Sequence, residues 1–230
     1  MITFHRVQIS LFVSALSLLL FFGFSFAMNS LSRSYEAKIE QVRKEEGQAK
    51  RKLARARNTI TSLRKRRDSL EVIAEAIRRP EIIWTARAVY SETKRMREMR
   101  HVAWVIRNRY ESRHRGATSY RSVVLDDRQF SAFNKGYPKR NFYLSLEPKH
   151  SGRVIGWHRA LRISKEVIDA GQSDRPFPES TLFFYSEHVL EERPHWEASM
   201  TEVAVKGIDE RRFRFLQKSK IAYDGSHRSR

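Results

Sequence analysis

Apolar residues recur at helical spacing through most of the chain. Ile83, Ala86 and Tyr90 fall at i, i+3 and i+7 with Val89 beside them, and after a charged connection Met99, Val102 and Ile106 repeat the pattern with Val105 alongside. Two amphipathic helices joined by a short turn are predicted over 84–110. Residues 120–125 read as one or two helical turns. Trp157, Ala160, Leu161, Ser164 and Ile168 predict a further helix, with Gly171 as its C-terminal cap. Gly136, Pro138, Pro148 and Gly152 mark a long irregular segment, a kind of loop that often carries function. The run 181–185 is β-branched and aromatic, which predicts a strand. Val203 and Val205 alternate with polar residues, as do Phe213 and Phe215, and the turn at 207–210 makes a small hairpin of them. The fold class is therefore α+β, mainly α, with a small antiparallel sheet.

Upstream of these elements the pattern changes twice. Residues 7–28 are apolar without a charge, long enough to cross a bilayer as a helix of about 20 residues. The run reads as an uncleaved single-pass anchor. The alternative is a signal peptide cut after Ala27, where Ser25 and Ala27 supply small residues, but its apolar core would normally span only about 7–15 residues. Arg6 alone precedes the run while Arg33, Lys38, Arg43 and Lys44 follow it, a charge bias that opposes export of the C-terminal part. From 35 to 79 there is no proline. Two seven-residue series, Ile39, Glu46, Leu53, Ile60, Arg67, Ala74 and Val42, Ala49, Ala56, Leu63, Leu70, Ile77, form a mostly apolar seam. A long helix follows, and a self-associating coiled coil is the expected use of it; a lone basic helix is the alternative. The expected organisation is an anchor or signal segment at 1–34, a basic coiled-coil helix at 35–79, a compact domain at 80–220 and a disordered basic tail at 221–230.

Composition adds one constraint. Lys and Arg number 45 against 26 Asp and Glu, a formal net charge of +19, which points to a polyanionic neighbour such as nucleic acid, an anionic membrane or an anionic envelope. The basic clusters at 50–52 and 64–67 lack interleaved aromatics, so a solvated or lipid-facing charge run outranks nucleic-acid binding. With no cysteine, disulfides and thiolate metal sites are excluded. The histidines show no metal-ligand spacing, and no phosphate loop or serine-nucleophile motif is present, so neither a metal nor a cofactor is expected.

Candidate chemistry centres on Glu92. It ends the first predicted helix among apolar and aromatic neighbours. The negative end of the helix dipole and partial desolvation both favour its protonated form, as a general acid requires. Lys94, Arg95 and Arg97 oppose this if their charges face it, and the sequence leaves open which effect wins. The plain alternative is a solvated helix-end carboxylate.

AVYSE at 88–92, VAWVIRNR at 102–109, RQFSAF at 128–133 and PHW at 194–196 together resemble the SleB-type cell wall hydrolases, the spore-cortex-lytic enzyme family. The resemblance covers about 84–215. It implies a lysozyme-like catalytic domain, related to lytic transglycosylases, that acts on the glycan strands of peptidoglycan. It implies Glu92 as the catalytic acid, with Gln129, Phe130 and Ser131 lining the same cleft. The sequence departs from the family where TKRMREM follows Glu92, without the usual glycine–glutamate pair, leaving Glu98 as the stand-in for the second glutamate. It departs again where Tyr185 replaces a histidine, and where GIDERRFRF at 207–215 lacks one.

Hydrolysing a glycoside with water generally takes two carboxylates, whereas a lytic transglycosylase needs one: the muramyl C6 hydroxyl attacks its own anomeric carbon, and one acid gives and then regains a proton. Asp126, Asp127, Glu187, Glu191 and Glu192 lie in polar surroundings, so Glu92 is the expected catalytic residue. Expected substrate contacts are Tyr90, Ser91, Gln129, Phe130, Ser131, Tyr185 and Trp196; for Phe130, Tyr185 and Trp196 a packing role competes, and for Gln129 the holding of a loop. The expected function is a membrane-tethered enzyme cleaving between N-acetylmuramic acid and N-acetylglucosamine, on the periplasmic or wall side of a bacterial inner membrane. The alternatives are a non-catalytic envelope scaffold binding glycan through the same fold, and a cytoplasmic-facing basic protein that binds nucleic acid.

Overall fold

A computed structural model describes residues 2–186 and 194–219, with side chains from residue 17 onward except at 195. The chain divides into two units, Met1–Lys65 and Arg66–Arg230. The first helix, α1 (Ile2–Arg78), is continuous through the apolar run and the heptad region. Among the described residues no helix is long and apolar enough to cross a membrane; the side chains of residues 7–16 of the expected anchor lie outside the described ones. The seam residues Ile39, Val42, Leu53, Ile60, Leu63, Leu70 and Ile77 are exposed. The basic tail expected at 221–230 lies outside the described residues.

The second unit takes in the end of α1. Val72 and Ala76, one turn apart on a face the heptad seam does not use, are buried in its core, so the compact unit begins upstream of the expected boundary at 80. Pro80 then acts twice. It bars Arg79 from helical geometry, which shows φ −123° and ψ 90°, and it opens α2 (Pro80–Glu92) as that helix's first residue. A three-residue link, extended at Thr93 and Arg95, leads into α3 (Met96–Glu111), the second of the predicted pair. A short α4 (Tyr120–Leu125) starts at Ser119, whose Oγ accepts from the Ser122 N–H while Ser122 Oγ accepts from the Ser119 N–H.

The segment expected to be irregular contains a six-residue α5 (Arg140–Ser145) and a 3₁₀ turn, Pro148–Gly152. Both are too short to leave a periodic pattern, and Tyr143, Leu146 and Pro148 tie them to the interior. α6 (Trp157–Asp169) packs against both α2 and α3. It does not end on the expected glycine cap: Ala170 is extended, and Gly171 has φ −70°. Arg107 of α3 explains this, since its Nη1 donates to the carbonyls of Val167 and Ala170, both at 2.7 Å, and supplies the donors a left-handed glycine turn would otherwise provide.

β1 (Thr181–Tyr185), β2 (Met200–Val203) and β3 (Arg214–Lys218) form an antiparallel sheet with β3 in the centre. The hairpin is β2–β3; β2 ends at Val203, short of Val205. The fold class is α+β and mainly α, as expected.

Trp157 anchors the helical layer. It is fully buried, its ring meets Tyr90 edge-on at 5.7 Å, and its indole N–H donates to the Glu147 carbonyl at 2.8 Å. Trp157→Ala should lower stability by about 3–5 kcal/mol, read as a reduced denaturant midpoint at unchanged m-value.

Candidate active site

The last turn of α2 carries Tyr90, Ser91 and Glu92, and the chain leaves it in extended geometry at Thr93, φ −155°. The turn is capped by a side chain: the Lys94 ammonium donates to the Tyr90 carbonyl and lies 3.3 Å from the centre of the Tyr90 ring. A cation there offsets the negative end of the helix dipole. Tyr90 is buried, meets Tyr143 at 6.3 Å, and donates its hydroxyl to the Ile155 carbonyl at 3.1 Å.

Glu92 keeps part of its surface open while protein atoms enclose most of its carboxyl group. Desolvation pushes its pKa up to about 7, against the opposing charges of Arg109 and then Lys94. Desolvation thus prevails where the sequence left the balance open, and of the three neighbouring cations named from the sequence Lys94 is the one that opposes it. A carboxyl group poised near neutrality at the edge of solvent can donate a proton and take one back.

Arg109 is buried in α3. Its Nε donates to the Leu182 carbonyl at 2.7 Å, and its guanidinium lies 5.4 Å from the Phe130 ring and 5.9 Å from the Phe184 ring. Burial lowers its pKa to about 10, offset in part by Asp126 and Glu92. Sequence reasoning did not single it out. The available clue was a run of Arg107, Asn108 and Arg109 inside an apolar helix pattern.

Phe130 is buried against Phe184 at 6.1 Å, a packing residue beneath Arg109. Gln129 is half-buried beside it, and Ser131 is exposed at the start of a 3₁₀ turn that contacts α2. The Ser91 hydroxyl is taken by the Ala88 carbonyl at 2.8 Å, within its own helix. Tyr185 and Trp196 meet edge-on at 6.0 Å on the sheet, and Trp196 also leans on Phe183 at 5.8 Å. Glu98 is buried and bound, accepting from the Thr93 hydroxyl and from Arg212 Nε at 2.9 Å. Asp126 pairs with Arg115 at 2.9 Å, and Asp127 is exposed. Glu187, Glu191 and Glu192 lie outside the described residues.

A cavity of about 610 Å³ bordered by Glu81, Trp84, Tyr110 and Tyr120 lies at the other end of α2, roughly 16 Å along the helix from Glu92. It is not part of this site.

The domain is a mainly helical α+β unit with one carboxyl group held near neutrality at a helix end. The family model described as Cell Wall Hydrolase matches residues 93–214, beginning one residue after Glu92. The chain belongs to the cell wall hydrolase family, which places it among enzymes that degrade peptidoglycan. No curated protein and no solved structure matches it.

Two outcomes follow from the electrostatics. Titration of the Glu92 carboxyl carbon by NMR should give a midpoint near 7, and Arg109→Met should move it higher, because the cation that lowers it most is removed. The raised value also means that the folded state binds this proton more tightly than the unfolded chain. The associated stability is full below about pH 4.5 and is lost as pH rises through about 7. Glu92→Gln should therefore be more stable than the native protein at pH 8, by roughly 2–3 kcal/mol, with the difference shrinking toward pH 4 in urea titrations.

Proposed function

We propose that the protein cleaves peptidoglycan glycan strands between N-acetylmuramic acid and N-acetylglucosamine as a lytic transglycosylase, with Glu92 as its single acid and base. The observation that carries this is the desolvated carboxyl group at the end of α2, held near pH 7. Glu92 gives its proton to the glycosidic oxygen as the bond to the muramyl anomeric carbon breaks. The resulting carboxylate takes the proton of the muramyl C6 hydroxyl as that oxygen closes onto the anomeric carbon. No water is consumed and the acid is regenerated. Arg109 and Lys94 favour the carboxylate during the interval in which it holds no proton. Glu98, bound to Thr93 and Arg212, holds the connection in place and is not free to activate water.

On this reading the second unit has the lysozyme-like organisation that the motifs resemble. Residues 7–28 tether the protein to the inner membrane, and α1 pairs with a second copy along the exposed seam at Leu53, Ile60 and Leu63. The catalytic unit faces the periplasm, where its cationic surface meets an anionic wall.

Digestion of purified sacculi followed by mass spectrometry should yield muropeptides with 1,6-anhydromuramyl ends, one water lighter than hydrolysis products. Reducing muramyl ends would instead assign hydrolysis. Glu92→Gln should lose about a thousandfold in rate while keeping its fold. A variant as active as the native protein would leave a glycan-binding scaffold as the role of this domain. For the native protein kcat/KM should fall above about pH 7, where Glu92 loses its proton.

A further inference from the structure

The surface beside Glu92 carries charge and aromatic area that proton transfer does not use. Lys94 rests on the Tyr90 ring, Tyr90 meets Tyr143, and the Tyr143 N–H donates to the Lys139 carbonyl at 3.1 Å. One lysine thus rests on this aromatic pair, and a second stands at the start of the helix that carries Tyr143. Both are exposed, and among the described residues neither has a carboxylate in ion-pair contact. The residue as a whole is exposed, but its ammonium lies against the Tyr90 ring and carbonyl; desolvation there, and then repulsion from Lys139, holds Lys94 down at about 8, with Glu92 as its opposing charge. Like charges held near each other are unfavourable until an anion lies between them, at which point both interactions become attractive.

The surroundings indicate what kind of anion. Tyr137 and Phe142, both in contact with Tyr143, are 38% and 45% exposed, and Ile155, whose carbonyl receives the Tyr90 hydroxyl, is 94% exposed. Exposed rings next to cations suit a sugar that presents C–H faces and bears an acidic group. A bare anion would have no use for the rings.

We propose that Lys94 and Lys139 form a carboxylate-recognising subsite of the glycan cleft, which takes an acidic group borne on the muramyl residue beside the scissile bond. This rests on the glycan-cleaving role of Glu92. The subsite makes the protein selective for carboxylate-bearing glycan over neutral glycan. The carboxylate has two sources, the lactyl group of the sugar itself and the peptide attached to it.

The test uses the full-length protein on three substrates: peptide-bearing strands, strands stripped of peptide so that the lactyl carboxylate is free, and stripped strands whose carboxylates are converted to methylamides. The native protein should show a KM about tenfold lower on free-carboxylate strands than on methylamide strands, a preference that shrinks as salt rises. Preference on stripped strands assigns the lactyl group, and preference confined to peptide-bearing strands assigns the peptide. Lys139→Glu and Lys139→Ala should abolish the preference, and Lys139→Arg should retain it, with thermal melts confirming that each variant is folded. Equal KM values for the native protein on all three substrates overturn the subsite and leave the glycan-cleaving role standing. So does a preference that survives Lys139→Glu. A native protein that cleaves none of the three overturns both.

Discussion

Three consecutive side chains of α3 tie the catalytic unit together. Arg107, Asn108 and Arg109 are all buried, and because successive helical residues point about 100° apart they reach three different parts of the fold. Arg107 binds the end of α6. Asn108 Nδ2 donates to the carbonyls of Pro178 and Thr181, at 3.2 and 3.0 Å, where the chain enters β1. Arg109 binds the carbonyl of Leu182 inside β1. The aromatic face of the sheet packs against the helices, and these polar contacts fix where its first strand lies. Each donates to backbone carbonyls of another element; the Pro178 carbonyl also accepts from the Thr181 N–H at 2.9 Å, and where removing a side chain leaves a buried carbonyl with no other donor the loss is about 1–3 kcal/mol per orphaned group.

The same run couples the scaffold to the acid. Arg109 holds β1 with its Nε and at the same time lowers the proton affinity of Glu92. Desolvation alone would drive Glu92 well toward the neutral form; an exposed cation would be screened and would do little to restrain it. A buried guanidinium acts through a low dielectric, so its field reaches the carboxyl group without contact. Proton affinity near neutrality is therefore a balance between two consequences of burial, one raising it and one lowering it. An acid held in this way carries a stability penalty above neutral pH, which is the ordinary exchange between a poised site and a relaxed core.

What was legible in the sequence were the features written in periodicity. The α2–α3 pair, α4, α6, β1 and the hairpin partner β3 lie where spacing placed them, because each presents a repeated apolar face to the interior. Glu92 was legible because it stands at the end of such a face. Features fixed by tertiary partners were not. Val72 and Ala76 enter the core from a helix whose visible pattern is the exposed seam. Gly171 looked like a cap, yet Arg107 serves the end of α6 from sixty residues away. α5 has too few turns to show a period. The burial of Arg109 depends on Phe130, Phe184 and Leu182, residues that lie far along the chain from it.

The connection after Glu92 shows how a turn is held without glycine. The segment TKRMREM has no residue suited to left-handed geometry, and the chain crosses it in extended form at Thr93 and Arg95. Extended backbone leaves its polar groups unpaired within the segment, so the fastening must come from side chains. The Thr93 hydroxyl donates to Glu98 and accepts from the Arg95 N–H at 3.1 Å. Glu98 is held in turn by Arg212 at the entrance to β3. From the other side Lys94 binds the end of α2, and Arg159 Nη1 donates to the Lys94 carbonyl at 3.2 Å. The link is thus tied to α2, α3, α6 and the turn before β3 at once, which fixes the backbone on which Glu92 sits. Glu98, which stands where the resemblance leads one to expect a glycine–glutamate pair, is a structural anchor for the link that follows Glu92.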